Sequence, residues 1–458
     1  MRIPTTDGRL LGTLLKIQSD PKASPFSYSF PSRAMATPTQ PENGITKLTN
    51  CRLVRGDNLV FDDLWISSVT GKILRSQAAF YDGLILPDRT IDLGGRIVSP
   101  GFIDCQLNGA FGFNFSTKFE DMSQYDTQLQ DLNIRLVQTG VTSYLPTVTS
   151  QASDLYKAVL PHLAPSGAAR DASSGSESLG AHVEGPFLNP SHNGVHNVSV
   201  LRQAHTIKDI DDMYGPSNTT PSTIKMITLA PELANMTPLL PTLRSRGLVL
   251  SLGHTAATFE SASAALLAGA TSITHLFNAM SPLHHRNPGI FGLLGATSST
   301  LRPFFGLIAD GIHLHPATIK IAFHAHPAGC ILVTDAMHMA GLPDGVYPWT
   351  NGSSAECDHI VKEGAVLHLQ NSETIAGSSI MLIDCVNNFR RWTGAGIPQV
   401  LGTVTGTPAR MLGVEGVKGC LEEGADADLV VLSEEEGELR VDEVWKFGER
   451  VFEKGDGR

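Results

Sequence analysis

The chain has 458 residues, 41% hydrophobic and 17% charged, the balance of a folded globular protein with room for more than one domain. A formal net charge of -11 at pH 7 excludes a protein that binds nucleic acid or anionic membrane through bulk charge, so an anionic substrate must be held by local groups. No window approaches ~18 uninterrupted apolar residues, which excludes a membrane-spanning helix.

Residues 1–44 read as a disordered N-terminal extension. Its first 34 residues are rich in Ser and Pro and carry three arginines and two lysines, but Asp7, Asp20 and the lack of an amphipathic arginine face argue against a mitochondrial presequence. Met35 would serve as an alternative start. The six cysteines contain no CxxC pair and read as reduced thiols, which places the protein in the cytoplasm. Residues 45–99 are short β runs separated by turn residues and form the first part of a small β domain.

From residue 100 a pattern repeats: a short β-branched run ends in a polar group and leads into a helix-length segment. The runs are "IVSPGFIDCQLN", "VTSYLPT", "LGAHVEGP", "KMITLAPE", "LVLSLGH", "TSITHLFN", "FFGLIADGIH" and "GCILVTDA". Amphipathic stretches lie between several of them, such as 255–270 and 232–247, where Leu233, Met236, Leu240 and Leu243 fall three to four apart. Eight alternating units over residues 100–420 predict an α/β fold, a (β/α)8 barrel with its chemistry at the C-terminal strand ends. Residues 165–179 read as a low-complexity surface loop, 345–375 as hairpin material, and 378–392 as a helix with Met381, Leu382, Cys385, Phe389 and Trp392 on one side. Residues 421–458 are again short β runs. Paired with residues 45–99 they would complete a β-sandwich domain built from both chain ends.

The strand ends supply candidate chemistry. His182 and Glu184 are two apart in a strand and share its inward face. The later runs end in His254, His275, Asp310 with His313, and Asp335. A carboxylate and imidazoles aimed into an apolar barrel are costly unless paired, and a divalent cation removes that cost. Glu184, His254 and His275 make a two-histidine, one-carboxylate set of the kind that leaves coordination open for water on zinc. Asp335 across the mouth is then the candidate proton acceptor and donor. The ligands are 70 and 21 positions apart, so no local motif carries them.

The stretches "PGFIDCQLNG", "GVTSYLPT", "HVEGPFLNP", "GHTAAT", "THLFNAM", "IADGIH", "LVTDAM", "AGS" at 376–378 and "GCLEEGADADLVVL" span residues 97–432 almost without a gap. Together they resemble the amidohydrolase superfamily, and within it the N-acetylglucosamine-6-phosphate deacetylases. The resemblance implies a metal-dependent enzyme of amino-sugar catabolism that removes acetate from a small sugar phosphate, as a homodimer. It implies one divalent ion per chain, Zn²⁺ first, with Fe²⁺, Co²⁺ or Mn²⁺ also suited to the ligands. Many amidohydrolases have His-x-His at the end of the first strand, whereas this chain has Gln106-Leu107-Asn108. Amides bind zinc poorly, so a single high-affinity site is expected.

Carried over residue by residue, the resemblance makes His196 the donor to the amide carbonyl oxygen and Asn278, Ala279 and His313 contacts to the sugar phosphate. Arg286 becomes the phosphate-binding guanidinium, in reach of its own site or a partner subunit's, and Ile375, Ala376 and Gly377 become a backbone strip along the sugar. His182 reads as a core or supporting histidine beside Glu184, and Asp310 as a support for its neighbours. His284 and His285 read as loop residues without a role; His192, His324, His326, His338, His359 and His368 read as surface or turn positions. Two alternatives stay open: an amidohydrolase of cyclic or other acyl amides, and a catalytically silent barrel.

Overall fold

The computed structural model describes residues 43–75, 86–298, 302–351 and 357–455. The extension expected at 1–44 lies, apart from Asn43 and Gly44, outside the described residues.

Eight parallel strands form the barrel: β1 Phe102–Leu107, β2 Val141–Val148, β3 Ala181–Glu184, β4 Ile224–Leu229, β5 Val249–Leu252, β6 Ser272–Ile273, β7 Phe304–Ile308 and β8 Cys330–Val333. Each pairs with the next in chain order. The ring closes where Asn108 N–H donates to Ala336 O (2.8 Å) and Asp335 N–H to Gln106 O (2.9 Å). These eight strands are the eight β-branched runs. Both faces of a barrel strand are covered, which is why β2 is buried at all eight positions and shows no polar alternation.

The helices begin later than their periodicity suggests, because the first residues after each strand serve the mouth of the barrel. In 255–270 the helix covers Phe259–Leu267, with Thr258 as its N-cap. Thr255 and Ala256 instead donate to Glu232 (2.5 and 2.6 Å). In 378–392 the helix covers Leu382–Thr393, after Ser378 has donated to Thr334 O and Asp335 O.

Both chain ends join one mixed sheet. Leu429–Glu435 pairs antiparallel with Ile97–Pro100, which lies beside Ile45–Arg55. Its alternate residues face opposite ways: Val430 and Leu432 pack into the barrel's outer core, while Leu429 and Val431 join Leu48, Leu64, Ile73 and Trp445 in a second core. Ile73 on one edge strand and Trp445 next to the other edge share that second core, so the sheet folds over itself as a small sandwich. Gly345–Thr350, Cys357–Glu363 and Val366–Leu369 form a three-stranded antiparallel sheet.

The stretch 165–179 is no plain surface loop. Glu177–Ser178 pairs with β2, and Glu177 is buried against the ammonium groups of Lys418 and Lys446, which also bind Asp428 at 2.7 Å each. Its small residues permit this closeness: at Gly175 (φ +76°) a Cβ would stand 2.4 Å from Asn133 O.

Candidate active site

Glu184 ends β3, and His254, His275 and Asp335 each lie two residues beyond β5, β6 and β8. Glu184 Oε1 is 3.0 Å from His275 Nε2 and 3.3 Å from His254 Nε2, and the two imidazole nitrogens are 3.1 Å apart. All three side chains are buried. His254 Nδ1–H donates to His192 O (2.9 Å), which leaves the lone pair of Nε2 facing the cluster. Burial opposes charge on His275, but the Glu184 carboxylate outweighs it and lifts the imidazole to about 9. Burial likewise opposes ionisation of Glu184, yet the His254 and His275 rings against its carboxylate hold it well below the usual carboxylate range. The site therefore calls for positive charge where these atoms meet, and a divalent cation fits its donor set.

The backbone here is strained. His254, His275 and Asp335 have φ of +49°, +28° and +49°, a region that costs side-chain-bearing residues about 1–3 kcal/mol each. Only a chain held firmly on both sides keeps such a conformation, and the strand ends supply that hold.

Asp335 Oδ1 accepts from Asn108 Nδ2 (2.7 Å) and Gln106 Nε2 (3.2 Å), and Gln106 Nε2 also donates to Glu184 Oε1 (3.0 Å). The first-strand amides thus orient two carboxylates, a part that the sequence reading, which saw in them only the lack of imidazole, did not assign. Burial and the neighbouring Glu184 raise Asp335 to about 6.

His196 presents a defined tautomer. Ser150 N–H donates to its Nδ1 (3.2 Å), so the ring hydrogen sits on Nε2, which lies 3.9 Å from Glu184 Oε2. Burial, and then the nearby His254, lower His196 to about 3, so the ring is neutral at neutral pH.

A cavity of about 180 Å³ joins these groups. Of the residues expected from the sequence, Glu184, His196, His254, His275, Asn278, Ala279, His313, Asp335, Ile375 and Gly377 line it. His313 is held there by Asp310, whose Oδ2 accepts from Nδ1 at 2.6 Å, so Asp310 supports its neighbour as read. Two expected residues are elsewhere. Ala376 is fully buried behind the wall, its N–H donating to Leu367 O (3.0 Å), because alternate residues of this extended segment face opposite sides. Arg286 is exposed on the loop after β6 and does not line the cavity. Among the described residues, none that lines the cavity is Lys or Arg.

Other histidines are corrected or confirmed. His182 is a core residue bonded to Thr228 (2.7 Å) and Thr147 (3.3 Å), with no bond to Glu184. His326 and His338 are buried, not surface positions, and His338 Nε2 donates to Pro348 O (3.1 Å). Val195, Met337 and Trp349 also line the cavity and were not anticipated. The sequence signal for Trp349 went no further than its place in the hairpin. A second convergence of carboxylates, Glu177, Asp426 and Asp428, is occupied by Lys418 and Lys446 and is an ion-pair network. No helix among the described residues is long and apolar enough to cross a membrane.

Residues 97–451 match the model of the amidohydrolase family. The chain is 39% identical over 416 residues to the N-acetylglucosamine-6-phosphate deacetylase of Mus musculus, covering 89% of this chain and 96% of the mouse protein. It is similar to the crystal structure of N-acetylglucosamine-6-phosphate deacetylase from Thermotoga maritima, with a TM-score of 0.71, 28% identity, and coverage of 89% of this chain and 99% of that one. The Mycobacterium smegmatis enzyme, solved with N-acetyl-D-glucosamine-6-phosphate, gives a TM-score of 0.72 and 26% identity, covering 90% of this chain and all (100%) of that one.

Proposed function

The chain belongs to the amidohydrolase family, and on that footing we infer that it hydrolyses N-acetylglucosamine 6-phosphate to glucosamine 6-phosphate and acetate. The observation that carries this reading is the meeting of Glu184, His254 and His275 with Asp335 and His196 around one cavity. Glu184, His254 and His275 would hold one divalent cation, Zn²⁺ in our reading. When bound, such an ion polarises a carbonyl and makes a coordinated water acidic.

The protein's own groups carry the proton movements. Asp335 accepts a proton from the water that attacks the acetyl carbonyl carbon. His196 Nε2–H donates to the carbonyl oxygen as it gains negative charge, and a neutral ring suits that task because it keeps its hydrogen. Protonated Asp335 then delivers its proton to the sugar nitrogen, the C–N bond breaks, and acetate and the amine leave. Gln106 and Asn108 keep Asp335 aimed throughout.

Asn278, Ala279, His313, Ile375 and Gly377 are the proposed contacts to the sugar phosphate. The described lining holds no Lys or Arg, so in this reading the phosphate dianion takes its cation from beyond it. We assign that part to Arg286, contributed across a homodimer in the cytoplasm. The competing readings fit less well: a silent barrel would not keep Glu184, His254, His275 and Asp335 converged, and a dimetal site for cyclic amides has no first-strand imidazoles. The test is acetate release from the sugar with and without its 6-phosphate. Turnover confined to the phosphorylated substrate supports the reading, and equal rates overturn the phosphate assignment.

A further inference from the structure

The cavity's apolar lining comes from three segments that meet beside the reacting groups. Trp349 stands on the hairpin strand Gly345–Thr350, Val195 directly precedes His196, and Met337 lies two residues beyond Asp335. All three border the cavity, and they pack as one apolar cluster backed by Ile360 and Leu367.

This wall is fixed in place. Asn351 Nδ2 donates to Val195 O (3.0 Å) and its Oδ1 accepts from Asn197 N–H (3.1 Å), while Asn197 Nδ2 donates to Asn351 O (3.1 Å). The hairpin is thereby tied to the segment that carries His196. Met337 N–H donates to Ser378 O (2.9 Å), and at Gly377 (φ +69°) a Cβ would lie 2.6 Å from Met337 Cγ. Only glycine lets Met337 sit where it does.

This inference rests on the proposed deacetylation. The reacting carbon carries the attacking oxygen, the carbonyl oxygen, the nitrogen and the acyl tail. The two oxygens face Glu184, His254, His275 and His196. The nitrogen carries the sugar, which must extend toward the mouth, where Ile375 is 38% exposed. The tail is left facing the apolar wall. We propose that Trp349, Val195 and Met337 form the acyl pocket and that their fixed packing limits the substrate's acyl group to acetyl.

The test compares the metal-loaded full chain on the N-acetyl, N-propionyl and N-butyryl forms of glucosamine 6-phosphate. Turnover of the acetyl form by the unmodified protein tests the deacetylase reading by itself. The acyl pocket predicts that acetyl is preferred over butyryl by at least ~100-fold in kcat/KM, since each added methylene is rejected by roughly 10–200-fold. Met337→Ala and Val195→Ala should each narrow that ratio by about 10-fold, through faster butyryl turnover. Trp349→Leu should narrow it further, and the two smaller changes decide the matter if that variant does not fold. An acetyl-to-butyryl ratio unchanged in both alanine variants, or narrowed instead by Ile375→Ala at the rim, overturns the proposal.

Discussion

Replacing His196 isolates the group that faces the carbonyl oxygen. Its Nδ1 is taken by Ser150, whose N–H donates at 3.2 Å and whose hydroxyl lies at 2.8 Å, so only Nε2 is free to act on a substrate. An asparagine places its amide nitrogen near the Nδ1 position and leaves the Nε2 position empty, whereas a glutamine reaches the Nε2 position. Loss of one preorganised donor to a developing oxyanion costs about 10²–10³ in kcat, or ~2.7–4 kcal/mol. His196→Asn is therefore expected to lower kcat by that factor with little change in KM, and His196→Gln to recover part of the loss. Steady-state kinetics of acetate release measure both. Equal damage in the two variants, or a rise in KM with kcat intact, would mean that His196 contributes only packing or uniform binding, and the assigned role would be wrong.

Asn108→Leu removes the 2.7 Å donor to Asp335 and should lower kcat by about 10-fold or more, while elemental analysis finds the metal content unchanged. Lys446→Met leaves Glu177 and Asp428 buried with one ammonium fewer, so the denaturation midpoint should fall by an amount equivalent to about 3–5 kcal/mol. The same network sets a pH window. Burial opposes ionisation of Asp428, but Lys446 and Lys418 hold it below its ordinary 3.8, so its contribution is full above that value and is lost progressively as the pH falls from there through its lower folded-state value. Unfolding midpoints should drop more steeply below about pH 4 in the unmodified protein than in Lys446→Met. Arg286→Ala should raise KM for the phosphorylated sugar by ~10-fold or more with little change in kcat, and mixing it with an Asp335→Asn chain should restore the low KM only if Arg286 acts across subunits.

The barrel was legible in the sequence because its strands are buried on both faces and therefore stand out as apolar runs ending in a polar residue. Glu184, His254, His275 and Asp335 could be read for the same reason, each at a strand end facing inward. The left-handed backbone of His254, His275 and Asp335 could not be read, since it depends on the loops that hold the strand ends. Contacts between distant segments were also hidden. Asn351 reaches Val195 across 156 positions, and Gln106 reaches Asp335 across 229, with no periodicity to announce either. Glu177 was misjudged because the Gly, Ser and Ala around it look like a loop by composition, although they allow close packing. Arg286, of a residue type suited to phosphate, lies outside the cavity of a single chain, and no spacing in the sequence tells which chain's site it serves.

The account stands on one cation held by Glu184, His254 and His275 with Asp335 free to move protons beside it. Elemental analysis of the purified protein, paired with acetate-release assays on Asp335→Asn and Glu184→Gln, tests this directly. We predict about one divalent ion per chain, retained in Asp335→Asn while turnover falls by ~10²-fold or more, and lost in Glu184→Gln. A full metal complement in Glu184→Gln, or near-normal turnover in Asp335→Asn, would contradict it.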